Sequence, residues 1–481
     1  MTPSASTASF TGGTVRSAYL WTAASNVFKQ GMLFAVSLLL AKLLTPADYG
    51  LIGMVTALMV ILIPLQDLAI PQAISYFRDQ EEKILPNAVV ISTAMGALLF
   101  VGMFLSADMV AKFYSEPALA TIVRVMSTTF LFTGVRATSY GMMMKQFGFK
   151  RIALIEFVTI VIASAVAIVM AWRGFGVWSL VTNYMLSVMV QTALTLYYAP
   201  PRWPRKLSAK TTKMLLRWSL PLTGASMLGQ FSANADYLII GKMLGSEHLG
   251  LYTLAFRFAN VAAEKVAGIV NRVSFPALAA LRNEPGGAAR HWLQLLEILG
   301  LVCFPLIVAM GVNARDAIGL VLGDKWIPAV PTLQLLCWMG ALKVVAPVTA
   351  NLISTSGRTD IIFRITLINS VVLPPTFVAA CWLAGGNGVA IAWAVVYTPI
   401  VAYQFQQALK LADVPATKVW EALRLPIFIA ASYAVPGIAI ALWMEPGIVR
   451  LAVNIAAFAT VLGLLMLRPE VRAKVRRIAR K

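Results

Sequence analysis

Eight basic residues stand inside stretches that are otherwise apolar: Lys29, Arg124, Arg136, Arg257, Lys265, Arg272, Lys343 and Arg364. Five carboxylates share those stretches, namely Asp67, Glu156, Asp236, Glu264 and Glu297. Ionisable groups in hydrocarbon are costly, so each is expected to face a partner or a water-filled cavity. Pairing cannot neutralise every cation, and those near helix ends can reach the interface along their alkyl stems. The remainder imply a cavity of positive potential that suits an anionic ligand. Covalent chemistry is not indicated. The two histidines, His248 and His291, lie near loops, and no Ser/His/Asp set, nucleotide-binding glycine loop or cluster of metal ligands is present. No catalytic residue, cofactor or metal is therefore expected. Cys303, Cys337 and Cys381 sit in apolar runs and are read as packing residues.

Neutral polar residues accompany these charges in helical register. Thr22, Asn26, Lys29 and Gln30 share one face at about 100° per residue. Ser219, Thr223, Ser226, Gln230, Asn234 and Tyr237 recur in steps of three and four, and make a stripe along most of a span. Arg257, Asn260, Glu264 and Asn271 share a face, with Lys265 and Arg272 beside it. Cavity lining and hydrogen bonding between helices both account for the neutral members. Pro64 and Pro71 bracket Asp67, and each proline removes a backbone donor, so a bend near Asp67 is expected. That bend suits a gating hinge with an ion-sensitive acid, or a static kink with a paired one.

These side chains need a membrane bundle to position them. The chain is 59% hydrophobic and 12% charged over 481 residues, against roughly 25% charged for an ordinary soluble domain. Its mean hydropathy of +0.77 is too high for a single anchor. With a span of about 20 residues, fourteen helices are read at 18–41, 49–76, 85–106, 118–144, 149–172, 176–198, 217–241, 249–275, 292–312, 330–353, 359–383, 387–409, 422–443 and 447–467. The stretch before the first lacks the layout of a cleaved signal. Lys and Arg concentrate in alternate connections, notably Arg202 to Arg217, and in the tail from Arg468 to Lys481. By the positive-inside rule both termini lie in the cytoplasm. The net charge of +20 thus reflects topology and contact with anionic membrane lipids, and nucleic acid is not expected as a partner.

The chain also contains a duplication. Residues 41–52 read AKLLTPADYGLI and residues 241–252 read GKMLGSEHLGLY, so that Lys42 matches Lys242, Leu44 matches Leu244, and Gly50-Leu51 matches Gly250-Leu251. Gln30 matches Gln230 in the same register. Six helices separate the copies, which makes the repeats parallel. The expected organisation is an N-lobe over 1–207 with helices 1–6, a C-lobe over 208–412 with helices 7–12, and an appended helix pair with a basic tail over 413–481. Two lobes related by an axis along the membrane normal suggest a transporter with its pathway between them.

At the repeat blocks the sequence resembles a known family. LLLAKLLTPADYGLIGMVTAL followed by QDLAIPQAI is similar to the start of Wzx-type polysaccharide flippases, and ANADYLIIGKMLGSEHLGLYTLAFRF to the start of their second lobe. These belong to the multidrug/oligosaccharidyl-lipid/polysaccharide flippase superfamily, and the blocks look closest to its exopolysaccharide branch. The resemblance implies an all-α polytopic fold that moves an undecaprenyl-pyrophosphate-linked oligosaccharide across the bacterial cytoplasmic membrane by alternating access. It implies a cationic cavity, which matches Lys29, Arg257 and Lys265, and a drive by an ion gradient or the membrane potential, for which Asp67, Asp236 and Glu264 are the candidate coupling acids. Asp236 falls off the main polar stripe of its helix, so a structural pairing with a neighbouring base is the competing expectation. Arg124, Arg136, Arg272, Asn26, Gln30, Gln230 and Asn234 are the further expected lining. A monomeric transport unit, working with glycan polymerase and export machinery, is the expected context. A lipid II flippase, a cation-coupled multidrug exporter and a membrane glycan polymerase or ligase are the rival readings.

Overall fold

The computed structural model describes residues 31–77, 81–145, 149–201, 203, 207–261, 267–282 and 284–467. Apart from short connections these residues are helical, as lipid requires of a chain that must satisfy its backbone groups internally. The helices are α1 (Gly31–Leu43), α2 (Pro46–Asp67), α3 (Ile70–Tyr76), α4 (Glu81–Leu105), α5 (Ala107–Tyr114), α6 (Ala118–Ser127), α7 (Thr129–Lys145), α8 (Phe149–Trp172) and α9 (Val177–Tyr198). The chain continues through α10 (Ala209–Val261), α11 (Gly268–Ala280), α12 (Gly287–Val312), α13 (Ala314–Leu322), a 3-10 turn (Asp324–Ala329), α14 (Val330–Thr355), α15 (Thr359–Ala412), α16 (Ala416–Trp443) and α17 (Ile448–Leu467).

Among the described residues nine helical stretches are long and apolar enough to cross a membrane. One of them, α15, turns at Ala384 and Gly385 and so forms two rods. Helix α10 turns likewise at Gly245, whose φ of 83° suits glycine. With Gly31–Leu43 and Ile448–Leu464 these give the fourteen segments that the hydropathy predicts. The chain is a multi-pass, all-α membrane protein.

Local sequence explains several joints. Thr45 and Asp48 cap α2 reciprocally: the Thr45 amide and hydroxyl donate to the Asp48 carboxylate at 2.9 and 2.7 Å, and the Asp48 amide donates to Thr45 Oγ1 at 3.2 Å. Pro46 follows at the first helical position, where a missing N–H costs nothing. The bend predicted from Pro64 and Pro71 falls directly after Asp67. Leu68 and Ala69 adopt left-handed φ of 44° and 48° and separate α2 from α3.

The contacts group into two units. One comprises Met1–Leu43, Gln66–Phe104 and Val125–Leu222, the other Leu44–Leu65, Leu105–Arg124 and Thr223–Lys481. In the first, α4 and α7 cross closely at small residues: a Cβ on Gly96 would lie 2.5 Å from the Phe130 carbonyl oxygen, and one on Gly134 would lie 2.8 Å from that of Ser92. In the second, the duplicated blocks pack on each other in matched register. A Cβ on Gly50 would lie 1.6 Å from the Ser246 carbonyl oxygen, and one on Gly250 would lie 1.7 Å from that of Pro46. Pro46 and Ser246 occupy equivalent positions in the repeat, as do Gly50 and Gly250, so the contact is the same from either side. Gly53 faces Thr253, again its own equivalent.

Candidate functional site

Each unit holds a charged centre. In the second, the kink at Gly245 folds α10 back so that Asp236, before the kink, meets Tyr252, after it. The Tyr252 hydroxyl donates to Asp236 Oδ2 at 2.7 Å, the Trp393 indole N–H donates to the same oxygen at 3.0 Å, and the Tyr237 amide donates to Oδ1 at 3.0 Å. Asp236 is wholly buried. Lys343, on α14, completes the centre. Its ammonium stands 4.5 Å from the centroid of Phe256 and 4.7 Å from that of Trp393, and it is a cation whose charge acts on Asp236. Tyr237, Phe377 and Tyr397 pack around these rings at 5.2–5.5 Å.

In the first unit the centre is Arg136 on α7. Its guanidinium donates to Gln191 Oε1 on α9 and lies 5.8 Å from the ring of Tyr140. Asp67, at the end of α2, is the first of the acids whose charge bears on it, followed by Glu156, and the neutral hydroxyls of Tyr140 and Tyr184 are also near. The Arg136 Nε is enclosed and has no hydrogen-bond partner among the described residues. Gln66, next to Asp67, donates to Thr133 and to the Phe130 carbonyl, which ties the broken end of α2 to α7. A cavity of about 720 Å³ opens elsewhere in this unit, at the start of α10, lined by Leu207, Thr212, Lys213, Leu216, Arg217 and Leu220. Lys213 and Arg217 are one helical turn apart and give an otherwise apolar recess a basic rim.

The remaining predicted residues are distributed differently. Arg124 donates to Asp108 at 2.6 Å at an exposed position. Arg257 is exposed on α10, next to the Phe256 that faces Lys343. Gln230 and Asn234 are half-buried and engage each other, with the Asn234 amide donating to the Gln230 carbonyl at 2.9 Å. Of the helix-7 stripe, Ser219 and Thr223 are buried and Ser226 is exposed. Asn26, Lys29, Gln30, Glu264 and Lys265 lie outside the described residues, and of Arg272 only the helical backbone is described.

The structure thus sets Asp236 within electrostatic reach of Lys343 and Asp67 within that of Arg136, two juxtapositions that the sequence lists without joining. It adds residues that sequence reasoning passed over, namely Tyr252, Phe256 and Trp393 in one unit and Tyr184 and Gln191 in the other. The signal for the first group was present, because Tyr252 and Phe256 are four residues apart on a face, as are Trp393 and Tyr397. Chemically, a guanidinium with an enclosed N–H can bind a phosphate or carboxylate oxygen. The aromatic walls in the other unit can hold an ammonium group.

Comparison with known proteins adds to this geometry. Residues 39–331 match the family model described as "Polysaccharide biosynthesis protein". The chain is 25% identical over 378 residues to the lipopolysaccharide biosynthesis protein WzxC of Escherichia coli K12, covering 78% of this chain and 77% of that one. It is 25% identical over 428 residues to the teichuronic acid biosynthesis protein TuaB of Bacillus subtilis 168, covering 86% and 87%. Among solved structures, it superimposes on the lipid II flippase MurJ in an inward closed conformation with a TM-score of 0.75. That match covers 93% of this chain and 99% of that one at 12% identity, a likeness of fold.

Proposed function

The chain belongs to the polysaccharide biosynthesis protein family, and from that premise we propose that it flips a lipid-linked oligosaccharide from the cytoplasmic to the periplasmic leaflet of a bacterial inner membrane. The cargo would be a repeat unit of an exopolysaccharide, capsule or O-antigen on undecaprenyl pyrophosphate, carried by alternating access between lobes at 1–207 and 208–412. Both termini would face the cytoplasm. This reading makes the chain a carrier for glycan assembly and not one of its enzymes. The observation that carries it is the family match together with an enclosed, incompletely satisfied guanidinium, Arg136, on a membrane helix. Two relatives of similar length are named for the biosynthesis of lipopolysaccharide and of teichuronic acid, and the acid among them supports an anionic cargo.

In this reading Arg136, Arg257, Lys265 and Lys29 meet the pyrophosphate and acidic sugars, with Arg272, Asn26, Gln30, Gln230 and Asn234 beside them. Asp67, Asp236 and Glu264 are the acids through which an ion gradient could act. Membrane lipids contact the basic rim at Lys213 and Arg217, and a glycan polymerase would consume the product.

Replacing Arg136 or Arg257 with alanine is expected to lower export of the surface glycan about tenfold or more, the worth of one charge-assisted hydrogen bond. Lipid-linked repeat units should accumulate on the cytoplasmic side, with protein levels in the membrane unchanged. Arg124→Ala, at an exposed position where the side chain pairs with Asp108, is expected to cost much less. Unchanged export in the Arg136 and Arg257 variants would sink the cationic-site mechanism. Lysis on depletion of the protein, in place of a glycan-deficient surface, would point to lipid II as the cargo.

A further inference from the structure

Asp236 poses a problem of charge. A carboxylate with no exposed surface is held at 2.7–3.0 Å by three neutral donors, the Tyr252 hydroxyl, the Trp393 indole and the Tyr237 amide. These hydrogen bonds occupy most of its lone-pair sites but bring no positive charge, and a buried anion without one is strongly disfavoured. The cation is supplied from another helix. Lys343 lies against the faces of Phe256 and Trp393, and its charge acts on Asp236.

We propose that the Lys343 ammonium is a tethered counter-cation for Asp236, joined to it through Trp393, so that this centre carries its own cation and takes no inorganic one. Trp393 is suited to the connection because it is polar at its edge and electron-rich on its face. Its N–H points at the carboxylate while its ring attracts the ammonium. An anion at the N–H enriches the ring, and each interaction strengthens the other.

The backbone holds the arrangement in place. Gly340, three residues before Lys343 on α14, meets α10 so closely that a Cβ there would stand 2.4 Å from the Ala259 carbonyl oxygen. Gly340 is therefore a positioning residue that lets Lys343 reach Phe256. The pair itself rests on this geometry. Its meaning for transport rests on the proposed function: the second unit would exchange charge at Asp236 by moving Lys343, and not by binding sodium or potassium.

The test reads ion binding by the purified full-length protein and does not depend on which lipid is carried. Thermal midpoints are measured in sodium, potassium or choline chloride at equal ionic strength. The wild type is expected to show no saturable preference for the small cations. Lys343→Met keeps the length of the side chain and removes its charge, and is expected to gain a saturable upward shift in sodium or potassium. Asp236→Asn/Lys343→Met should lose that shift. Gly340→Ala, which leaves every charge in place, should show the shift in weaker form.

Should Lys343→Met fail to fold, recovery of a folded protein in the Asp236→Asn/Lys343→Met double variant supports the pair, and no recovery refutes it. A sodium shift in the wild type that Asp236→Asn abolishes would make Asp236 itself a cation site and overturn the proposal. So would a Lys343→Met protein as stable as the wild type and indifferent to cations.

Discussion

Replacing either Gly50 or Gly250 with alanine is expected to abolish glycan export, while the same change at Gly102 leaves it intact. The difference lies in what the new methyl group would meet. At Gly50 and Gly250 a Cβ falls 1.6–1.7 Å from a backbone carbonyl oxygen, whereas at Gly102 nothing stands within 4 Å. Flexible side chains can yield by a few tenths of an ångström, but a carbonyl in a helix moves only with its helix. Overpacking a well-fitted contact costs about 1–3 kcal/mol even when side chains can adjust, so these two substitutions belong at or above the upper end.

Graded effects would distinguish this contact from general damage. Gly53→Ala should be milder, because its Cβ would meet only side-chain atoms, the Thr253 hydroxyl at 3.3 Å and Leu249 from 3.5 Å. The two severe variants should also resemble each other, since Pro46 with Gly250 and Ser246 with Gly50 are one contact repeated by the duplication. Polar contacts secure the same region: Lys242 donates to the Phe113 carbonyl, Ser246 Oγ donates to Glu116 at 2.7 Å, and Lys325 donates to the Leu44 carbonyl at 2.7 Å. Export measured beside membrane abundance checks the prediction. Gly50→Ala behaving like Gly102→Ala would show that the contact opens freely.

The duplication was legible because glycines and lysines recur at fixed spacing in both copies. A repeat, however, does not say which copy touches which, and the meeting of Gly50 with Ser246 needed the fold. The break after Asp67 was legible from Pro64 and Pro71, because a missing N–H acts locally. The pairing of charges was not. Arg124 and Arg136 stand in one apolar stretch and read alike, yet the first donates to an exposed Asp108 and the second is enclosed beside Gln191. What separates them is the join between α6 and α7 at Thr128, which no proline or glycine marks.

Asp236 shows the same limit from the other side. Its departure from the helix-7 stripe was visible, and pairing with a base was one of its two readings. Its side-chain hydrogen-bond partners, Tyr252 and Trp393, lie 16 and 157 residues along the chain. Periodicity orders residues within a helix. It carries no information about the helix opposite, and in lipid, where apolar surfaces are nearly interchangeable, the apolar pattern gives little help in choosing neighbours.

The largest loss of stability is expected on removing Arg450. The Arg450 side chain is 6% exposed and that of Asp316 fully buried. The pair is bidentate, with Nε donating at 2.7 Å and a terminal nitrogen at 2.8 Å to the two carboxylate oxygens. The other terminal nitrogen donates to the carbonyls of Ala441 and Met444, and the Gly447 amide donates to Asp316 at 2.9 Å. One ion pair thereby holds α13, the end of α16 and the start of α17, and it anchors the appended helix pair to the second unit. Removing one member strands the other charge, at a cost of about 3–5 kcal/mol. Arg450→Met and Asp316→Leu should therefore each lower the thermal midpoint sharply. The double variant removes both charges and should recover part of the loss. Recovery should stay incomplete, because the Gly447 amide and the carbonyls of Ala441 and Met444 lose their partners, at about 1–3 kcal/mol for each group left buried and unsatisfied. A strictly additive double variant would mean that the two residues act separately, and that the appended pair is held by packing between α12 and α16 instead.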